Sequence, residues 1–209
     1  MVVLRFFFVL AGIILFNGSL MAIEEPSYKV IEKFDEFELR QYQDLIVAEV
    51  QVTGQFDDVG NEAFRILAGY IFGKNQKQTK MAMTAPVNQF PLKSPEQNLV
   101  NIEDQGNATF LVQFMMPSKY SMQDLPAPDD ERVKLRKIEG RLVAARKYSG
   151  TWSQKRYERN KKVLLEAMGK NQLRVLSAPV FARYNSPFSL WFLRRNEVLI
   201  NTEKNKVDI

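Results

Sequence analysis

The 209-residue sequence contains no cysteine and no histidine. The first absence excludes disulfides, thiolate metal sites, thiol nucleophiles, iron–sulfur clusters and cofactor attachment through a CxxCH motif. The second excludes an imidazole general base, a Ser-His-Asp triad and histidine-ligated zinc or iron. Catalysis would have to rest on carboxylate pairs, Lys, Tyr or Ser-Lys arrangements. None of these stands in a recognisable spacing, so a binding protein is expected and an enzyme is not. Charge of one sign is also scarce, with 29 basic against 24 acidic residues and a formal net charge of +5. The basic residues are interspersed with acidic ones, so nothing marks a nucleic-acid partner. The balance supports only a weak attraction for carboxylate-bearing ligands.

A hydrophobic run long enough to span a bilayer is missing as well. Phe6 to Phe16 makes an apolar stretch of 11 residues, where a span needs about 20. Preceded by Arg5 and followed by Asn17, Gly18, Ser19 and Ala22, it reads as a secretory signal over residues 1–22, with Leu20 standing where a smaller residue is preferred. Without a cysteine to lipidate, the expected product, residues 23–209, is a single domain in the periplasm or the medium, and a monomer.

What is present is an internal similarity. Phe37–Phe56 set over Val133–Trp152 matches without gaps at a constant offset of 96 residues, with Leu39/Leu135, Arg40/Arg136, Val47/Val143, Ala48/Ala144 and Gly54/Gly150 identical. A helix follows each copy. Asp57 or Asp58 is placed to cap the first, whose apolar face runs Val59, Ala63, Phe64, Leu67 and Ile71, closed by Gly73. Ser153 is placed to cap the second, which carries Tyr157, Leu164, Ala167 and Met168, closed by Gly169. Each half then returns to strands, Lys80–Phe90 and Thr109–Met116 in the first, Val180–Tyr184 and Leu190–Ile200 in the second. Pro117 to Glu131, with Pro126 and Pro128, reads as a surface loop between halves of about 28–117 and 131–201. Two strand-strand-helix-strand units imply an α+β domain, a distorted antiparallel or mixed β-barrel with two helices against its outside.

Lys80-Met81-Ala82-Met83-Thr84-Ala85-Pro86-Val87 resembles the signature strand of the SOUL haem-binding family. Phe64–Gly73 is similar to that family's first helix, Val112–Pro117 to its central strand, and Arg194–Val198 to its C-terminal strand. The resemblance spans Tyr28 to Ile200 in the family's order. It implies a distorted barrel built from a duplicated unit, and haem or protoporphyrin as a small-molecule ligand. Some members are thought to ligate iron through a histidine, so this chain would have to hold a tetrapyrrole by apolar contact and propionate pairing.

The resemblance also implies a cleft beside the first helix. There Phe64, Leu67 and Ile71 would offer an apolar floor, with Arg65, Lys74 and Lys77 as cations beside it or beyond its end. A solvated helix packed on a sheet explains the same pattern. Met81 and Met83 share one strand face, where core filling, the expected role, competes with thioether ligation of haem iron. Tyr42, Tyr70, Tyr157 and Tyr184 are expected in core or rim positions and not as phenolate ligands. An apolar peptide or lipid in the same groove is the alternative to a tetrapyrrole.

Overall fold

A computed structural model describes residues 23–92 and 108–204, and the export signal expected in residues 1–22 lies outside the described residues. The elements run β1 (Tyr28–Lys33), β2 (Glu38–Tyr42), β3 (Leu45–Gly54), α1 (Val59–Ile71), β4 (Val87–Pro91), β5 (Ala108–Met115), β6 (Lys134–Ile138), β7 (Arg141–Ser149), α2 (Gln154–Lys170), β8 (Leu173–Val175), β9 (Val180–Arg183) and β10 (Arg195–Lys204). One sheet takes the order β1-β2-β7-β10-β9-β4-β5-β3-β6, with β8 added on β10.

The expected barrel does not close. Its ends are β1 and β6, and no pairing joins them among the described residues. Both edges carry charge, Lys29, Glu32 and Lys33 on one and Lys134, Arg136 and Lys137 on the other, the composition that discourages further pairing. Every strand pair is antiparallel, which removes the mixed alternative. Registers in the two halves correspond: Leu39 faces Ala144 between β2 and β7, and Leu135 faces Ala48 between β3 and β6. Exchanging β2 with β6, β3 with β7, β4 with β9 and β5 with β10 leaves the order from β2 to β6 unchanged when read in reverse.

Both helices pack on the same sheet face. Leu67 and Ile71 of α1, with Tyr157, Leu164 and Met168 of α2, join Val50, Val112, Ala144, Val198 and Ile200 of the strands in one core. Burying each large aliphatic side chain contributes about 1.5–3 kcal/mol. Phe56 is the hinge of this core, stacked on Tyr157 at 5.1 Å and on Phe181 at 5.6 Å. Period-two alternation sends the intervening residues Tyr42, Val143, Ala145, Ala182 and Leu199 to the opposite, helix-free face, where they form a second, smaller cluster.

Local signals set most boundaries. Gly73 at φ 110° ends α1, with Lys74 N–H donating to the Gly69 carbonyl at 2.9 Å and Gly73 N–H to Tyr70 at 3.4 Å, a Schellman closure. Asp58 occupies the N-cap of α1 without a side-chain bond, whereas Asp57 accepts from the Gln154 N–H of α2 at 2.9 Å. Ser153 caps α2 as expected, accepting from the Arg156 N–H. That helix runs past Gly169 to Lys170, because Gln172 at φ 55° takes the left-handed turn. The strand expected over Lys80–Phe90 begins only at Val87; Met81 N–H instead donates to the Ile71 carbonyl at 2.8 Å, tying this segment to the end of α1. Likewise β10 starts at Arg195, five residues after Leu190, behind a 3-10 turn over Trp191–Leu193.

Candidate ligand-binding cleft

The residues expected beside α1 divide between two environments. Leu67 and Ile71 are fully buried beneath the helix and Met81 is 5% exposed, so all three belong to the core. Met83 packs against that core as a partly buried residue. Phe64 is 37% exposed but sets its ring edge-on against Phe114 at 5.4 Å. Arg65 and Lys74 come together in a shallow cleft of about 330 Å³ with Glu62, Tyr70, Asp130 and Arg132. Lys77 is exposed and does not line it. An apolar stripe at helical spacing was thus the packing face, and the cations stand on the outer surface without that floor.

The opposite sheet face holds a buried polar centre. Glu197, with no exposed surface, accepts from Arg40 Nη1 at 2.8 Å, from Arg195 Nε at 3.0 Å and from the Tyr184 hydroxyl at 2.9 Å. Burial alone would lower Arg40, and the Glu197 carboxylate more than reverses this, holding the guanidinium charged above its ordinary range. Burial pushes the Tyr42 and Tyr184 hydroxyls up, against the opposing pull of Arg40 on the first and Arg195 on the second. The four tyrosines weighed as iron ligands are all buried. Tyr70 and Tyr157 donate to the Pro126 and Pro179 carbonyls, at 2.9 and 2.8 Å, and burial raises both.

Beside this centre a cleft of about 400 Å³ opens where the two halves of the sheet meet, within the range of small-ligand sites, roughly 300–1,000 Å³. Leu45, Phe90, Ile138, Val143, Val180 and Leu199 supply apolar wall, and no carboxylate residue is among its described lining. Arg141 is its most informative member. Its Nε donates to Asn201 Oδ1 at 3.0 Å, its guanidinium carbon stands 5.9 Å from the Tyr42 ring centre, and its buried Nη1 has no hydrogen-bond partner. Burial lowers its pKa from the ordinary value. Asn88 Oδ1, also in the lining, is buried and unpartnered. Arg136 stands at the same cleft, already engaged with Glu49 at 2.9 Å. A neighbouring cleft of about 410 Å³ is walled by Met115, Met116 and Met122 but sets Glu24, Glu25 and Asp44 against Lys137 alone. Charge therefore separates the two, and an anionic ligand fits the arginine-lined one.

The sequence model of the SOUL heme-binding protein family matches residues 23–201. The chain belongs to the SOUL heme-binding protein family. Heme-binding protein 2 of Mus musculus is 28% identical over 192 residues, covering 84% of this chain and 88% of that protein. Heme-binding protein 1 of Xenopus tropicalis is 25% identical over 192 residues, covering 86% and 97%. Among solved structures, the EcmrR C-terminal domain superposes with a TM-score of 0.59 at 9% identity, covering 85% of this chain and 98% of that one. A hydrolase from Listeria innocua gives 0.58 at 12% identity, covering 83% and 94%. At such identities these likenesses show the fold alone.

For this SOUL protein, sequence reasoning singled out α1, placed Tyr42 only as a core or rim residue, and passed over Asn88, Arg141 and Asn201. The signal that could have found them is the alternation in β7, which puts Arg141 on the same strand face as Val143 and Ala145, away from Ala144.

Proposed function

We propose that the protein binds haem or a related tetrapyrrole dicarboxylate, without transforming it and without a histidine ligand, in the cleft on the helix-free sheet face. Family membership supports the ligand class. The observation that carries the site is the unpartnered, buried Nη1 of Arg141 set in an apolar wall. A guanidinium so placed lacks the acceptor that a propionate would supply. The empty histidine count leaves apolar contact and carboxylate pairing as the holding forces. Corresponding registers in the two halves support an origin by duplication, with the cleft formed where the copies join. Export to the periplasm or medium, with Ile23 near the new N-terminus, rests on the apolar run of residues 6–16.

Titration of the purified chain with hemin and with metal-free protoporphyrin, followed by the Soret band and by Trp fluorescence, tests this reading. Both ligands should bind within about tenfold of each other, since no iron ligand is proposed. Arg141→Leu should weaken both about tenfold, the worth of one charge-assisted hydrogen bond of roughly 1.5 kcal/mol, and Arg141→Lys much less. Lys74→Glu combined with Lys77→Glu should change neither by more than about twofold, because both lysines are solvated. The reverse pattern would move the site beside α1, and absence of binding by either ligand would overturn the tetrapyrrole reading.

A further inference from the structure

Between β9 and β10 the chain leaves the sheet in an apolar projection. Phe188, Leu190, Trp191, Phe192 and Leu193 are 96%, 59%, 55%, 52% and 66% exposed. Elsewhere among the described residues, exposed large hydrophobics occur singly or as the pair Val175 and Leu176. Scattered apolar residues are ordinary on a soluble surface, whereas five within six positions mark a contact surface.

The loop is built to hold its apolar tips outward. Ser189 N–H donates to the Ser186 carbonyl at 3.0 Å and Leu193 N–H to Leu190 at 3.0 Å. From inside the loop, Arg194 donates through Nε to the Ser189 carbonyl at 3.0 Å and through Nη2 to Pro187 at 2.6 Å. Asn185 Oδ1 accepts from the Arg195 N–H at 2.6 Å and closes the base. Internal pairing of this kind removes much of the cost of taking polar backbone into a medium poor in water. Trp191 and Phe192 stand edge to face at 5.6 Å, so the tip is preorganised.

Charge within the loop has one sign. No acidic residue occurs from Asn185 to Arg194. The Arg194 guanidinium stacks over Trp152 at 4.4 Å, Arg183 lies 5.4 Å from the same ring, and Arg156 packs against Gly150 beside it. Neither Arg194 nor Arg156 makes a salt bridge among the described residues. A convex tip of Phe, Leu and Trp above an arginine collar matches the layering of a bilayer surface: acyl chains, the interfacial level favoured by Trp, then phosphates. A symmetric contact with a second copy would instead bring two arginine collars together.

We propose that Phe188–Leu193 is a membrane-docking loop that inserts its apolar side chains into an anionic phospholipid surface while Arg194 and Arg156 meet the phosphates. This is independent of the tetrapyrrole assignment. The test uses the full chain with phosphatidylcholine vesicles, with and without phosphatidylglycerol, carrying brominated acyl chains. Emission of Trp191 is isolated as the difference between the wild type and Trp191→Phe. Vesicles containing phosphatidylglycerol should shift this emission to the blue and quench it, and added salt should weaken the effect. Leu190→Ser with Phe192→Ser, both at exposed positions and checked for folding by circular dichroism, should reduce the quenching-derived partition coefficient at least about tenfold. The proposal is overturned by unchanged Trp191 emission on vesicles that the chain demonstrably binds, by equal quenching without phosphatidylglycerol, or by a blue shift that grows with protein concentration in the absence of lipid.

Discussion

Glu197 accepts a hydrogen bond from Arg40 at 2.8 Å although their strands, β10 and β2, do not pair, because β7 stands between them. The pair reaches across β7 on the face where it presents Val143 and Ala145, side chains short enough to be spanned. Both charges are withdrawn from water, 4% and 0% exposed at the side chain. Such a pair adds little to net stability over an apolar substitute, yet removal of one member strands the other.

Glu197→Leu should therefore cost about 3 kcal/mol, leaving the buried Arg40 guanidinium with the half-buried Glu38, 2.9 Å away, as its remaining carboxylate partner among the described residues. Arg195→Met removes a partner that is 24% exposed and also bound to Glu25, and should cost only about 1 kcal/mol. Urea midpoints at unchanged m-values measure both. Equal losses for the two variants would show that Arg195, and not Arg40, carries the compensation.

A second expectation separates two adjacent aspartates. Asp57 Oδ1 accepts the Gln154 N–H and so caps α2 from a distant part of the chain, while Asp58 sits at the start of α1 with no capping bond. Asp57→Ala should cost about 1 kcal/mol, the usual worth of an N-cap, and Asp58→Ala only a few tenths. Amide exchange should then report faster opening in the first turn of α2 and no change in that of α1. Faster exchange in α1 would return the capping role to its own helix.

Much of the architecture was legible in the chain because it follows from short-range rules. The repeat from Leu39 to Leu135 marks two strands whose partners correspond, and Gly73 announces the end of α1 through the one conformation that it adopts without a Cβ penalty. Gly169 obeys the same rule in appearance only. Met168 is fully buried and Asn171 donates from its side chain to the Ala167 carbonyl at 2.8 Å, so packing and a side-chain bond carry the helix past it. Closure into a barrel was beyond local reading, since it depends on whether charged edges meet. The cleft was less legible still. Tyr42, Asn88, Arg141 and Asn201 come from four strands and acquire their meaning from the sheet order. The stripe on α1 drew notice because core packing and a ligand floor share one periodicity, and in the structure Leu67 and Ile71 lie in the core.

The last expectation concerns alkaline stability. Tyr70 is 1% exposed and donates to the Pro126 carbonyl, and burial, aided by Tyr120, pushes its pKa up to about 12. An unfolded tyrosine ionises near pH 10. Between about pH 10 and 12 the unfolded chain therefore binds fewer protons than the folded one, and stability must fall as pH rises. The contribution is fully present below about pH 10 and is lost as pH climbs through the folded value. The buried tyrosines Tyr42, Tyr157 and Tyr184 and the half-buried Tyr148 are raised in the same direction, so the wild-type curve alone cannot assign the loss to Tyr70. Tyr70→Phe can, because the remaining tyrosines cancel in the difference. The variant should be less stable near neutrality by about 1 kcal/mol, its Pro126 carbonyl left without a donor. By pH 11 the wild type should have lost about 1.4 kcal/mol more than the variant, enough to erase or reverse that advantage. Urea melts of both proteins at intervals from pH 8 to 11 give the comparison. Parallel curves would mean that the Tyr70 hydroxyl ionises as freely in the folded protein as in water.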